Sequence, residues 1–498
     1  MSKFDVKNNK SICVLPWIHE FKSVGGHTAP CCVAKTLKNK TMADVRAEML
    51  ADKKPSACNI CYKSEKESNW SHRLEQTHSW INRHGEPDIN NPNIEYVDIR
   101  FDPTCNLKCK TCNPGSSTLW QKEKGVKFTI NQENYKDLAK VNKKRLKKVQ
   151  SMMEKKGIEL LISHDTNNMN YLTGYDAWSF YYAQCAIVHV NADEPLCFVR
   201  AQDSGGAYIK TYLKDENIIV YDENYIHTWP KHPYDYLVQI IKDRNWDKLS
   251  IGVEMDAHYF TAFCYEKIKQ GLPNAKIKDS ERLVNWARFA KSEAEINYMK
   301  TAAIISEKGM KTAMEVIKPG VRQCDAVGEI QKTLFYGTPD FGGEYSSIAT
   351  LLPTGKGTSA SHLTATEDKF VEGEATIVEL SGVYKRYHAP MARTVLLGKP
   401  DQLKIDTMNK TIEALQAGID ATKPGNTAND VAQAFWGILD KYGIEKKSRT
   451  GYSIGIGYPP DWGEHTLNIY KGEMTELVPN ACFHMIAVMQ FGDWGVEA

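Results

Sequence analysis

Two segments of this chain end one helix and start the next with the same residues, about 105 positions apart. Lys318-Pro319-Gly320 and Lys423-Pro424-Gly425 are helix stops, because proline cannot continue a helix and glycine accepts the left-handed backbone that closes one. Asp325 or Asp430 stands seven residues beyond each lysine, and Tyr336-Gly337 or Tyr442-Gly443 follows. Matching punctuation at a fixed offset predicts two copies of one α-plus-β unit, the alternative being chance agreement of helix-stop chemistry. Ser292-Glu293-Ala294-Glu295 is a capping box that opens the first helix. Ile296, Met299, Ala303, Met310 and Ile317 continue it at near-helical spacing, and Met408, Ile412, Leu415 and Ile419 predict the apolar face of its counterpart.

Between the copies, His362 lies in a small-residue loop seventeen residues ahead of Glu379. Glu379 interrupts the apolar run Ile377, Val378, Leu380, which reads as a buried strand, and a carboxylate there is costly without a partner or a task. Val395, Leu396 and Leu397 form a second run, so the segment predicts a hairpin lining a cleft. The bland alternative is a buried glutamate paired with Arg393, and a surface histidine. Further on, Pro459-Pro460-Asp461-Trp462-Gly463-Glu464-His465 concentrates acids, an indole and an imidazole in what reads as a site loop. His388, beside Tyr387 and Pro390, reads as structural.

The 498 residues predict two to four domains. A net charge of +2 gives no electrostatic case for a nucleic-acid or membrane partner. No run is long enough to span a bilayer and the start is no signal peptide, so a cytoplasmic protein is expected. Eight of the 13 cysteines fall in the first 112 residues, and such clustering in a cytosolic chain points to metal rather than disulfides. Cys105, Cys109 and Cys112 form a CxxxCxxC loop after the strand-like Glu95–Phe101 and can hold three irons of a [4Fe–4S] cluster. The lysine-rich segment from Lys136 to Lys156 predicts an amphipathic helix with a solvated face. The runs at 158–162, 186–190 and 249–253 then predict an α/β domain ending near Leu283.

NYLTGYDAWSF (Asn170–Phe180), LVNWARFAKSEAEI (Leu283–Ile296), PTGKGTSASH, ELSGVYKRYHAPMARTV and GYSIGIGYPPDWGEH (Gly451–His465) together resemble the creatinase/prolidase, or pita-bread, family, and within it the ectoine hydrolase branch. The resemblance covers roughly Gly125 to the end. It implies an α/β amino-terminal creatinase-like domain (125–285) and an α+β pita-bread catalytic domain (286–498), in a homodimer whose amino-terminal domain reaches over the partner's site. Cys105-Asn-Leu-Lys-Cys109-Lys-Thr-Cys112 also resembles the cluster loop of radical S-adenosylmethionine enzymes. With Cys13-Val-Leu-Pro-Trp, Pro30-Cys31-Cys32 and Cys58-Asn-Ile-Cys61-Tyr, it resembles the twitch-containing members. This implies a twitch-like segment (1–94) with an auxiliary cluster on Cys13, Cys32, Cys58 and Cys61, then a partial cluster loop (95–124) that takes S-adenosylmethionine. The alternative is a zinc knuckle on Cys58, Cys61 and two others. Only about a dozen residues continue the pattern after Cys112, too few for the barrel that radical chemistry needs.

Metallopeptidases of the first family hold two divalent ions on two aspartates, a histidine and two glutamates. Aligned by motif, Glu379 takes the first aspartate's place, Pro390 the second's, Tyr452 the histidine's and Ile486 the first glutamate's. Proline, tyrosine and isoleucine do not replace such ligands, so a hydrolase domain with no metal and no cofactor is expected. The resemblance implies His362 as acid/base and Glu379 as nucleophile toward a small ectoine-like cyclic amidine, which is opened to N-acetyl-2,4-diaminobutyrate. His465 and Asp461 are candidates for proton transfer, and Arg393 or Arg386 for holding the substrate carboxylate. Trp178, Phe180, Tyr452, Trp462 and Glu464 are candidate substrate contacts. The chain ends at Gly495–Ala498, where the family continues with a strand and a helix, so both halves are expected to be incomplete on their carboxyl side. Another creatinase-like hydrolase, or an iron–sulfur protein with an inert hydrolase half, remains open as an alternative.

Overall fold

The computed structural model describes residues 4–6, 8–22, 28–31, 34–35, 37, 39–68, 71–92, 96–99, 132–399 and 401–498. Contacts divide the chain into two units, Met1–Gln132 and Glu133–Ala498.

In the smaller unit β1 (His19–Lys22) pairs antiparallel with β2 (Thr28–Ala29) and parallel with β3 (Tyr96–Ile99). Helices Met42–Leu50, Asn59–Ser68 and His72–His84 accompany this sheet. The core gathers Phe4, Ile12, Val14, Trp17, Val45 and Met49. Cys13, Cys31, Cys58 and Cys61 are buried and line one cavity with Arg73. Cys31 joins three of the four cysteines expected at the auxiliary cluster. Cys32, Cys105, Cys109 and Cys112 lie outside the described residues.

The larger unit opens with the helix Gln132–Lys156, whose Leu146, Val149 and Met153 are buried. Six strands follow: β4 (Leu160–Ser163), β5 (Cys185–His189), β6 (Leu196–Arg200), β7 (Ile218–Tyr221), β8 (Ser250–Val253) and β9 (Lys276–Asp279). They form one mixed sheet in the order β7-β6-β5-β4-β8-β9, with β4 parallel to β8 and antiparallel to β5.

Both copies of the repeat then appear as helix, helix, hairpin. The first has helices Glu293–Val316 and Gln323–Tyr336, then β10 (Ala375–Tyr384) and β11 (Tyr387–Leu396). The second has helices Gln402–Ala421 and Ala428–Lys441, then β12 (Gly451–Tyr458) and β13 (Asp461–Ile469). The shared punctuation has a structural cause. Gly320 and Gly425 have φ of +85° and +91°, and Asp430 completes a capping box with Thr427. Asp325 instead pairs with Arg322 in the first turn of its helix. The Ser292–Glu295 box forms as expected.

The four strands lie in the order β10-β11-β12-β13, and β14 (Phe483–Met485) adds to β12. β15 (Val488–Phe491) and β16 (Trp494–Glu497) form a separate hairpin. The Glu293–Val316 helix lies so close on β10 that a Cβ at Gly382 would sit 2.4 Å from the Ala302 carbonyl oxygen. One expected face is different. Helix Gln402–Ala421 buries Thr407, Thr411, Ala414 and Gly418, while Ile412 and Ile419 stay 49% and 47% exposed. Small residues let this helix approach Ala428–Lys441, a packing demand that apolar periodicity does not encode. No helix among the described residues is long and apolar enough to cross a membrane.

A candidate active site with two buried carboxylates

β10 and β11 pair without slip from Ala375↔Leu396 to Tyr384↔Tyr387. Their turn, Lys385-Arg386, has φ of +51° and +64°, as a type I′ turn requires. Two non-glycine residues are strained there. Arg386 is held by donating to the carbonyls of Tyr345 and Gly457 at 2.8 and 2.7 Å, between the rings of Tyr345 and Tyr458. It does not line the cavity that holds His362 and Glu379.

Glu379 is one of only two β10 residues that are not fully buried, so its carboxylate marks where the strand opens to a cavity. Its own amide and carbonyl exchange hydrogen bonds with Leu351 at 3.1 and 2.9 Å, and Leu351 also bridges to Thr364. The loop between these anchors carries His362, whose φ of +65° lies in the left-handed region. A close contact seats this loop: the Gly495 amide donates to Thr358 Oγ1 at 2.9 Å, and a Cβ at Gly495 would lie 2.2 Å from the Thr358 carbonyl oxygen.

His362 and Glu379 consequently face one cavity of about 620 Å³, together with Tyr452, Asp461, Arg449 and Glu497. Burial, helped by the charge of Asp461, raises the Glu379 carboxyl to about 7. Burial and the neighbouring Glu379 charge push Glu497 above the usual carboxylate range too, against the pull of Lys446. Two such carboxyls cannot both ionise cheaply. Burial would also raise Asp461, but a hydrogen bond from His465 and the Gly463 and Trp462 amides bring it down to about 2.

Sequence reasoning missed Glu497 and Arg449. Glu497 lies at the end of β16, bound through its backbone to Thr394 Oγ1 on β11. Arg449 precedes β12 and lies over the Tyr452 ring, 4.2 Å from its centroid. The Tyr452 hydroxyl accepts from Trp462 Nε1 at 2.7 Å and lies 3.2 Å from His484 Nδ1. Burial holds His484 down to about 4, so its neutral ring can accept the tyrosine proton.

Several expected contacts lie elsewhere. Arg393 pairs with Val378 on the strand face opposite to Glu379, is exposed, and donates to the Ala392 carbonyl. Trp462 is fully buried behind Tyr452. Glu464 is buried in an ion triad, 2.6 Å from Lys291 and 3.3 Å from Arg288, and offsets one of their two positive charges. His465 points away from His362 and Glu379 into a separate cavity, bonded to Asp461 at 2.9 Å. Trp178 is 57% exposed beside Tyr345, and Phe180 is buried against Tyr259 and Tyr458; neither lines the cavity. His388 is structural: its Nε2 accepts from the Ser347 amide at 3.0 Å, and burial lowers it to about 3.

Residues 145–290 match the Creatinase/Prolidase N-terminal domain and residues 297–497 match Metallopeptidase family M24. The ectoine hydrolase of Halomonas elongata is 41% identical over 360 residues, 71% of this chain and 90% of that protein. An uncharacterised hydrolase/peptidase of Sinorhizobium fredii is 39% identical over 352 residues, covering 71% and 90%. The prolidase structure from Thermococcus sibiricus shares the fold at a TM-score of 0.62 and 19% identity, covering 71% of this chain and 91% of its own. The chain belongs to the creatinase/prolidase family, and it is a hydrolase acting on C–N bonds.

Proposed function

We propose that the larger unit opens the ring of ectoine or hydroxyectoine, with Glu379 as nucleophile and His362 as acid/base. The observation that carries this is the facing of His362 and Glu379 across one cavity whose other ionic groups suit a zwitterion. Glu379 adds through a carboxylate oxygen to the amidine carbon. One ring C–N bond then breaks, and the departing amine takes a proton from His362. The carbon is left as an O-acyl imidate on Glu379. Water gives a proton to His362 and splits this adduct, restoring the carboxylate and leaving N-acetyl-2,4-diaminobutyrate. Arg449, rather than Arg393 or Arg386, pairs with the substrate carboxylate. Glu497 and Asp461 face the amidinium. Trp178 is offered to the cavity of a second copy in a homodimer.

The reaction runs without metal in this reading. Pro390 is paired with Ser381, Ile486 is aliphatic, and the Tyr452 hydroxyl is committed to Trp462 and His484. The residues present do not fit the family's ion pair. Ectoine turnover by the full chain after EDTA treatment, with Glu379→Gln alongside, tests both points. Activity in the wild type alone is expected, and inhibition by the chelator would sink the metal-free mechanism.

A second reading concerns the smaller unit, and the observation favouring it is the single cavity lined by Cys13, Cys31, Cys58 and Cys61. We propose that these four thiols hold an iron–sulfur cluster. Burial pushes the Cys13 thiol up to about 12 and raises those of Cys58 and Cys61, so these three ionise only when a cation is present. Anaerobically purified protein should be brown and lose the colour in Cys58→Ser. Colourless protein containing stoichiometric zinc would decide for a zinc knuckle.

A further inference from the structure

Beside the cavity of His362 and Glu379, and sharing Asp461 with it, three ligand-type side chains converge. One nitrogen or oxygen from each of His258, Asp461 and His465 lies within 4.8 Å of the other two. The His258 and His465 rings are 5.6 Å apart between centroids, and His465 Nε2 is 2.9 Å from Asp461 Oδ2.

Regular strand geometry would not produce this. Residues four apart on an extended strand are separated by roughly 13 Å. The path of β13 is bent instead, through a left-handed His465 at φ +56° and shifts in the register between β12 and β13. The bend is clamped from outside. Arg282 Nη1 donates to the His465 carbonyl, and its Nη2 pairs with Asp256, two residues before His258. One guanidinium therefore fixes both segments that supply the imidazoles.

Two imidazoles and a carboxylate are the donor set of borderline divalent ions, zinc above all. Ligand bonds of about 2.1 Å in a tetrahedral arrangement place donors roughly 3.4 Å apart. The Asp461–His465 separation of 2.9 Å and the 4.8 Å bound on all three pairs are compatible with that arrangement. The adjoining cavity, about 270 Å³, is lined by Asp165, Glu254, Asp256, Asp279 and Glu281 together with Arg282, which pairs with Asp256.

We propose that His258, Asp461 and His465 form a mononuclear site for a zinc-class divalent cation, with its fourth position open to water. It uses none of the positions Glu379, Pro390, Tyr452 and Ile486, where the family's ion pair would be held, and it does not depend on the identity of the substrate.

The test is a Co²⁺ titration of the metal-stripped full chain, wild type against His258→Ala and His465→Ala, followed by visible absorption and displaced with Zn²⁺. His258 is exposed, so an unchanged thermal melt for His258→Ala establishes that its fold is intact. The wild type should bind one equivalent that either substitution weakens at least tenfold. The wild-type-minus-variant spectrum should show the weak bands of nitrogen and oxygen ligation without thiolate charge transfer. Cobalt held by the cysteines of the smaller unit cancels in that difference. Equal binding in wild type and His258→Ala would overturn the site, as would a difference spectrum carrying thiolate bands.

Discussion

Glu464→Gln should unfold the larger unit at markedly lower temperature while leaving the substrate affinity of the folded fraction unchanged. Glu464 and both its partners, Arg288 and Lys291, have side chains only 1% exposed. Burial pushes the Glu464 carboxyl up, and the charges of Lys291 and Arg288 offset part of that rise. Removing the glutamate charge leaves an ammonium and a guanidinium together in a water-poor interior. Breaking such a pair costs about 3–5 kcal/mol. The amide still fills the space, so the loss is electrostatic rather than steric. At an unfolding entropy of about 2.1 cal/mol/K per residue, each kcal/mol lowers the midpoint of a unit as long as Glu133–Ala498 by about 1.3 °C, so a fall of roughly 4–7 °C is expected. Scanning calorimetry of the full chain reads it, with KM measured below the transition. An unchanged melt together with a raised KM would refute the structural role and return Glu464 to the substrate site.

The Glu379 carboxyl, raised to about 7, must be ionised to attack, so kcat/KM should rise with pH through neutrality and level off above it. Asp461→Asn removes a repelling charge and should move that midpoint to lower pH; an unmoved midpoint would separate the two groups. Arg449→Met, which keeps an aliphatic stem over Tyr452, should raise KM for a carboxylate substrate by about 10–100-fold with little change in kcat, from the loss of a charged hydrogen bond. Gly382→Ala should cost at least about 2 kcal/mol in chemical denaturation, since its Cβ would meet backbone atoms of Ala302 and Ser306 that cannot rotate away.

The duplication was legible because it is written in backbone chemistry: a proline, a left-handed glycine and a first-turn aspartate mean the same thing wherever they stand. His362 and Glu379 were legible for a related reason, since a carboxylate within an apolar strand is anomalous by its neighbours alone. Glu497 carries no such anomaly. It follows Val496 in an ordinary-looking run, and only the seating of β16 beside β11 brings it to the cavity. Arg449 sits in the basic stretch Lys446–Arg449, and nothing local separates it from the solvated lysine beside it. The loop from Pro459 to His465 misled in the opposite way. Its residues are chemically dense, yet they disperse into a buried triad, an indole prop and a second cavity, because a bent strand sends successive side chains to different places.

Leu351 has a consequence for how this protein could be altered. Its main chain is hydrogen-bonded to Glu379 on one side and bridged to Thr364 on the other, with Leu352 donating to the Leu363 carbonyl at 2.8 Å. The spacing of the acid/base and the nucleophile is thus written in peptide groups, which every substitution leaves in place. Gln490 donates to Ser361 Oγ beside His362 and so supports the pair, whereas Ile348 and Val488 are aliphatic wall positions. They can be exchanged to admit differently shaped rings without detuning the pair, which makes this cavity a scaffold for re-lining.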